Sequence, residues 1–175
     1  MTSRRRDSQR SKTYLWEGRH YRKYKRNKPL ESMVKIQDYV NDVVQQDCPE
    51  INEIIATASK RSKGTWAWAS IDDRPRKIVL PQGWGRKTST ILHEVAHHFV
   101  DYADKDLPLN QQATFHGPEF VSVYMYLMQK HAGYSIESAL KAALRYKVKH
   151  DPSLLGRLVL DDNFGVTIKY YWENI

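Results

Sequence analysis

Cysteine is nearly absent from this chain. The single Cys48 excludes an internal disulfide framework. Long apolar runs are missing as well. Stretches such as Ile78 to Leu80 and Leu158 to Leu160 are short and interrupted, far from the twenty or so residues that a membrane-spanning helix needs. The N-terminal Met-Thr-Ser-Arg-Arg-Arg has a charged start with no apolar stretch behind it, which does not fit a secretory signal. These absences predict a soluble, cytoplasmic protein in a reducing compartment, with no membrane partner. Internal repeats are also lacking. What remains, 175 residues with 41% hydrophobic and 27% charged positions, suits one compact domain or one domain with a short appendage.

The net charge of +8 is concentrated at one end. Residues 1 to 30 carry 11 Lys and Arg against 2 acidic residues, so the rest of the chain, with 17 against 18, is close to neutral. Residues 1–29 therefore read as a basic arm and residues 30–175 as the folded domain. Each Lys or Arg placed on a phosphate releases a counterion, a gain that favours binding to a polyanion. Interleaved Tyr14, Trp16, Tyr21 and Tyr24 could stack on bases, so nucleic acid is a candidate partner. Packing of the same rings on the domain is the alternative. The first clear apolar period starts only at Met33, so the domain is expected to fold without the arm.

From there the periods alternate. Met33, Ile36, Val40 and Val43 predict a helix over residues 31–46, followed by an ambiguous segment, 53–59, compatible with a strand. Residues 65–71 and 76–80 flank Asp72-Asp73-Arg74-Pro75 and read as a β-hairpin. Helices are predicted over 88–103, from Pro118 to about His131, and from Ser135 to about Lys149. Leu158 to Leu160, the turn residues 161–165 and Val166 to Trp172 read as a C-terminal hairpin. The expected fold class is α+β, with a small, mostly antiparallel sheet packed on the helix over 88–103 and further helices.

That helix carries His93-Glu94-Val95-Ala96-His97, the pattern H-E-x-x-H. Positions four apart differ by about 40° around a helix and about 6 Å along it, so both imidazoles can reach one metal ion. Glu94 stands beside them, where a carboxylate can take a proton from water. Burying two histidines and a glutamate among Ile91, Leu92, Val95 and Phe99 is costly unless a dication compensates, which argues for Zn2+. A third ligand must come from elsewhere. The metzincin continuation is excluded because Val100 and Ala103 stand at its glycine and ligand positions. His98, Asp101, His116 and Glu119 remain. His98 lies 100° round the helix from His97, Asp101 one turn below it, and His116 and Glu119 flank Gly117-Pro118 at the start of the next helix.

The two blocks His93-Glu94-Val95-Ala96-His97 and His116-Gly117-Pro118-Glu119-Phe120 resemble those of the SprT and Spartan-like metallopeptidases. They are still more similar to those of small metallohydrolases encoded by actinobacteria and their phages. The resemblance covers about residues 60 to 131 and implies a minimal zincin domain with His116 as third zinc ligand. The paired cysteines of the zinc ribbon that many SprT proteins carry are absent here.

The chemistry so implied is hydrolysis, foremost of a peptide bond in a protein or peptide substrate, with Glu94 as general base and then proton donor to the leaving amine. Tyr102 and Tyr124 are candidate oxyanion helpers. The segment 76–80, which precedes the active-site helix, would hold an extended substrate by β-addition. Two other readings stay open: a nucleic-acid-binding protein with a structural or inactive zinc site, and a metallohydrolase that does not act on peptides.

Overall fold

A computed structural model describes residues 7–21, 27, 29–59, 67–71, 75–82, 84–108 and 111–172, with side chains through residue 168. Among them are seven α-helices and one three-stranded mixed sheet, an α+β arrangement. In chain order these are α1 (Arg10–His20), α2 (Met33–Asp47), β1 (Ile54–Ala58), β2 (Trp68–Ser70), β3 (Arg76–Leu80), α3 (Thr88–Asp104), α4 (Pro118–Ala132), α5 (Ile136–Tyr146), α6 (Pro152–Asp161) and α7 (Phe164–Trp172).

Local chemistry accounts for most of the boundaries. The Ser32 hydroxyl accepts from the Lys35 N–H and starts α2, whose Ile36, Val40, Val43 and Val44 are buried on one stripe. Pro118 occupies the first turn of α4, and Gly133 ends it in the left-handed region at φ 68°. Ser135 caps α5 through the Ser138 N–H.

The sheet order is β1-β3-β2. β2 and β3 pair antiparallel, Trp68 opposite Val79 and Ser70 opposite Lys77, as the hairpin reading requires; the turn residues 72–74 and positions 65 and 66 lie outside the described residues. β1 runs parallel to β3 over its whole length, Ile54 opposite Arg76 and Ala58 opposite Leu80. The sheet is thus mixed and not mostly antiparallel. β3 is its central strand, hydrogen-bonded on both sides, so segment 76–80 has no edge to offer an incoming chain. Arg76, Ile78 and Leu80 of β3 are buried, and α3 packs across both β2 and β3 while contacting α4 on another side.

The C-terminal hairpin is not formed. Asp151 accepts from the Leu154 N–H, Pro152 fills the first turn, and Leu154, Leu155 and Leu158 are buried at helical spacing, so Leu158 to Leu160 belong to α6. The Asp-Asp-Asn segment read as a hairpin turn is a helix–helix junction. Asp162 takes the left-handed conformation, and the Asn163 side chain accepts from the Val166 N–H to start α7. Asp and Asn serve helix caps as readily as turns, and the cap reading wins because Phe164 is fully buried, its ring 4.8 Å from Phe99.

The boundary drawn at residue 29 does not separate an arm from a body. Trp16 and Tyr21 are fully buried within the same core cluster as α2, α3 and α4. The Trp16 indole donates to the Ala139 carbonyl of α5, and both rings meet Tyr124 edge-on, at 6.0 and 5.4 Å. Docking on the domain is therefore what Trp16 and Tyr21 do. Tyr24, like eight of the eleven basic residues in positions 1 to 30, lies outside the described residues, and so does most of the proposed nucleic-acid arm.

Candidate metal centre

α3 presents its apolar residues Ile91, Leu92, Val95 and Phe99 to the core, which leaves His93, Glu94 and His97 together on the face toward α4 and β2. His93 and Glu94 are only 3% and 4% exposed. His116 ends the loop before α4 and is 4% exposed. Two features hold that loop. Asp104 at the end of α3 accepts from the Ala113 N–H at 2.6 Å. Gly117 closes on Thr114 so tightly that a Cβ there would stand 2.6 Å from the Thr114 hydroxyl and 3.2 Å from its carbonyl.

His93, His97 and His116 each offer a ligand nitrogen within 4.8 Å of the others. The Nε2 atoms of His93 and His116 are 3.4 Å apart, the separation expected of two nitrogens about 2.0–2.1 Å from one tetrahedral zinc ion. Phe120, in the first turn of α4, lies against all three imidazoles with centroid distances of 4.9, 4.4 and 5.1 Å.

Two carboxylates stand behind the rings, and both come from the N-terminal segment. Asp7 Oδ2 is 2.6 Å from His116 Nδ1 and Glu17 Oε2 is 3.1 Å from His93 Nδ1. The other Glu17 oxygen accepts from the Tyr124 hydroxyl at 3.2 Å. Gln9 adds a backbone clamp, donating to the His116 carbonyl at 2.7 Å and accepting from the Lys149 N–H at 2.9 Å. An imidazole whose Nδ1–H goes to a carboxylate carries its lone pair on Nε2. His116 so disposed turns its Nε2 lone pair toward His93 Nε2 at 3.4 Å, and three imidazoles gathered this closely form a donor set that fits a zinc ion. Burial, then the neighbouring His93, holds the His116 pKa down at about 4, which keeps it in the neutral form a ligand needs. Burial, with a smaller contribution from the Glu17 carboxylate, raises Glu94 to about 7.

The other residues singled out in the sequence are placed elsewhere. Asp101 is engaged by Arg76 at 2.8 Å, and the His98 ring faces the sheet, its Nε2 donating to the Lys77 carbonyl at 3.0 Å. Glu119 stands in the first turn of α4 beside Gly117 and outside the histidine group. Tyr102 lines a separate cavity with Glu50, Asn52 and Arg76, under the Lys105 ammonium at 4.3 Å. Tyr124 is fully buried on the inner side of His93, where its hydroxyl meets Glu17 and the Ser89 carbonyl. Neither tyrosine lines the cavity at the triad. Cys48 is buried at the end of α2, and that burial pushes its thiol up to about 12.

The cavity beside the triad measures about 250 Å³ and is lined by Glu94, His97 and His116, by Asp7, Arg10 and Tyr14 of the N-terminal segment, and by Trp68, Ala69 and Phe115. Trp68 and Phe115 are about half exposed at its mouth. β2 is an edge strand among the described residues and forms one of its walls. Asp7, Arg10, Tyr14 and Glu17 were not recognised from the sequence as site residues. A signal was present: Arg10, Tyr14 and Glu17 recur at i, i+4 and i+7, one face of a helix, and Asp7 and Glu17 are the only acids in the first thirty residues.

No protein-family model, curated protein or solved structure matches the chain.

Proposed function

We propose that this protein is a zinc-dependent hydrolase of the minimal zincin type, acting on peptide bonds. The observation that carries the reading is the convergence of three imidazoles, one of them hydrogen-bonded through Nδ1 to the Asp7 carboxylate, beside a buried glutamate that lies outside the histidine group. A purely structural zinc site closes with four protein ligands and prefers thiolates. Three histidines with an acid beside them suit catalysis.

His93, His97 and His116 would hold the metal, and Asp7 and Glu17 would orient two of these rings. A bound Zn2+ supplies Lewis acidity, making water a better nucleophile at neutral pH and polarising a carbonyl. Glu94 takes the proton from the attacking water and returns it to the departing amine. Its place beside the histidine group, at the cavity wall and otherwise buried, suits both halves of that transfer. Phe120 beneath the rings excludes water from the back of the site.

Peptides are favoured as substrate by size and by edge. A cavity of about 250 Å³ falls below the usual 300–1,000 Å³ of a site that encloses a small molecule, so most of the substrate lies outside it, as in a polymer. The neighbouring edge of β2 offers backbone hydrogen bonds to an extended chain.

Elemental analysis of protein purified without added metal should find one zinc per chain. The zinc-loaded protein should cleave an unstructured protein such as casein, and Glu94→Gln should retain the zinc while losing cleavage by at least about a hundredfold. Zinc without cleavage in the native protein, or undiminished cleavage by Glu94→Gln, refutes the reading.

A further inference from the structure

Peptide hydrolysis places negative charge on the carbonyl oxygen of the substrate, and a hydrogen-bond donor aimed at that oxygen is commonly the largest single protein contribution to rate. Tyr102 and Tyr124 do not line the cavity. Tyr14 does. Its ring is stacked on His93 at 5.6 Å and 15° and tilted against His116 at 4.9 Å. Arg10, Glu94, His97 and His116 line the same cavity, so the phenol lies among the groups where the reaction would take place. Arg10 is one turn earlier on α1, with its guanidinium 5.7 Å from the Tyr14 centroid. The helix carrying both is fixed by Trp16 in the core and by Glu17 on His93, so the phenol sits on a rigid support.

We propose that Tyr14 is a catalytic residue contributed by the N-terminal helix, donating its phenolic hydrogen bond to the substrate carbonyl oxygen as that oxygen gains charge, with Arg10 as the residue that positions the hydroxyl. The inference rests on the hydrolytic reading above. As the water oxygen bonds to the carbonyl carbon, the C=O π pair moves onto the carbonyl oxygen and one water proton passes to Glu94. Tyr14 shares its proton with that oxygen and keeps it. When the C–N bond breaks, the pair returns to re-form the carbonyl, and the nitrogen leaves with the bond electrons and the proton held by Glu94. A guanidinium only donates, so it would engage a lone pair of the phenol oxygen and leave the O–H to a substrate.

The test uses the full chain loaded with zinc: native protein, Tyr14→Phe, Arg10→Ala, Arg10→Lys and Glu94→Gln. The measurements are kcat and KM on an unstructured fluorogenic peptide, zinc stoichiometry, thermal midpoint, and calorimetric affinity for a peptide phosphonate, whose oxygens mimic the charged carbonyl oxygen. Tyr14→Phe should lower kcat on the order of 10²-fold, leave KM, zinc and thermal midpoint essentially unchanged, and weaken phosphonate binding about tenfold or more. Arg10→Ala should lower kcat less, and Arg10→Lys should recover part of that loss. If Tyr14→Phe loses zinc or melts early, the two Arg10 variants with zinc retained carry the test. A Tyr14→Phe protein with kcat and phosphonate affinity within twofold of native overturns the proposal, and so does a rise in kcat, which would make α1 a plug over the site. Native protein that holds zinc but neither cleaves nor binds the phosphonate overturns the hydrolytic reading itself.

Discussion

If Asp7 and Glu17 set the tautomer and orientation of His116 and His93, their removal should register first in zinc affinity. Asp7→Asn takes away a charged acceptor 2.6 Å from His116 Nδ1, and Glu17→Gln one 3.1 Å from His93 Nδ1. Carboxylates behind histidine ligands typically contribute 10–100-fold in metal affinity, or about 1.4–2.8 kcal/mol each. Asp7 makes the closer contact and should lie toward the upper end. Glu17→Gln keeps an oxygen for the Tyr124 hydroxyl, so its effect should come from the His93 side. The two rings would hold the same ion, and their Nε2 atoms stand 3.4 Å apart, so the effects should couple and the double variant should fall short of the product, at about 10²–10³-fold. Competition against a chromophoric zinc chelator measures each affinity directly. Glu31→Gln, in an exposed pair with Lys35, serves as the control. Zinc affinity within twofold of native for both single variants would refute the role given to the N-terminal segment.

Trp16→Ala should destabilise the protein by about 3–5 kcal/mol, the usual cost of emptying a large core site, read as a shift in urea midpoint; an unchanged midpoint would detach α1 from the core. Asp47, fully buried between α2 and α4, gives an acid-limb prediction. Burial alone would raise its pKa, but hydrogen bonds from His131 and Tyr126, and the Lys130 ammonium, outweigh it and hold the carboxyl below its ordinary value. A pKa depressed in the folded state stabilises the protein above the unfolded value, and that stability is lost as pH falls through the folded one. Asp47→Asn should therefore be less stable at neutral pH, and its urea midpoint should change less than the native one between pH 5 and pH 2; parallel curves would contradict this.

The sequence reveals its own organisation where partners are local. α2, α3 and α4 announce themselves through apolar residues at helical spacing, and His93 and His97 come together because four residues make about one turn. α1 escaped because its buried face is Thr13, Trp16, Glu17 and His20, only one of them strongly apolar, so no hydrophobic period marks it and its charge suggests a tail. α6 was obscured in a different way: Asp151-Pro152 is a helix start, but the acidic and amide residues beyond Leu160 imitate a hairpin turn. Asp7 and Glu17 reach partners 109 and 76 positions away, and nothing local in a sequence encodes such a pairing.

Those separations also impose an order of events on a chain made from its N-terminus. α1 emerges before the other described helices, yet groups that receive it emerge more than 120 residues later: Ala139 for Trp16 and Lys149 for Gln9. At ordinary elongation rates the interval is on the order of ten seconds. For much of that time Asp7 and Glu17 lack the imidazoles beside which they come to lie, and when all three histidines have emerged α1 still waits for its contacts on Ala139 and Lys149. Competence of the centre would thus arrive as a late event of biosynthesis, when the returning helix closes over the finished domain.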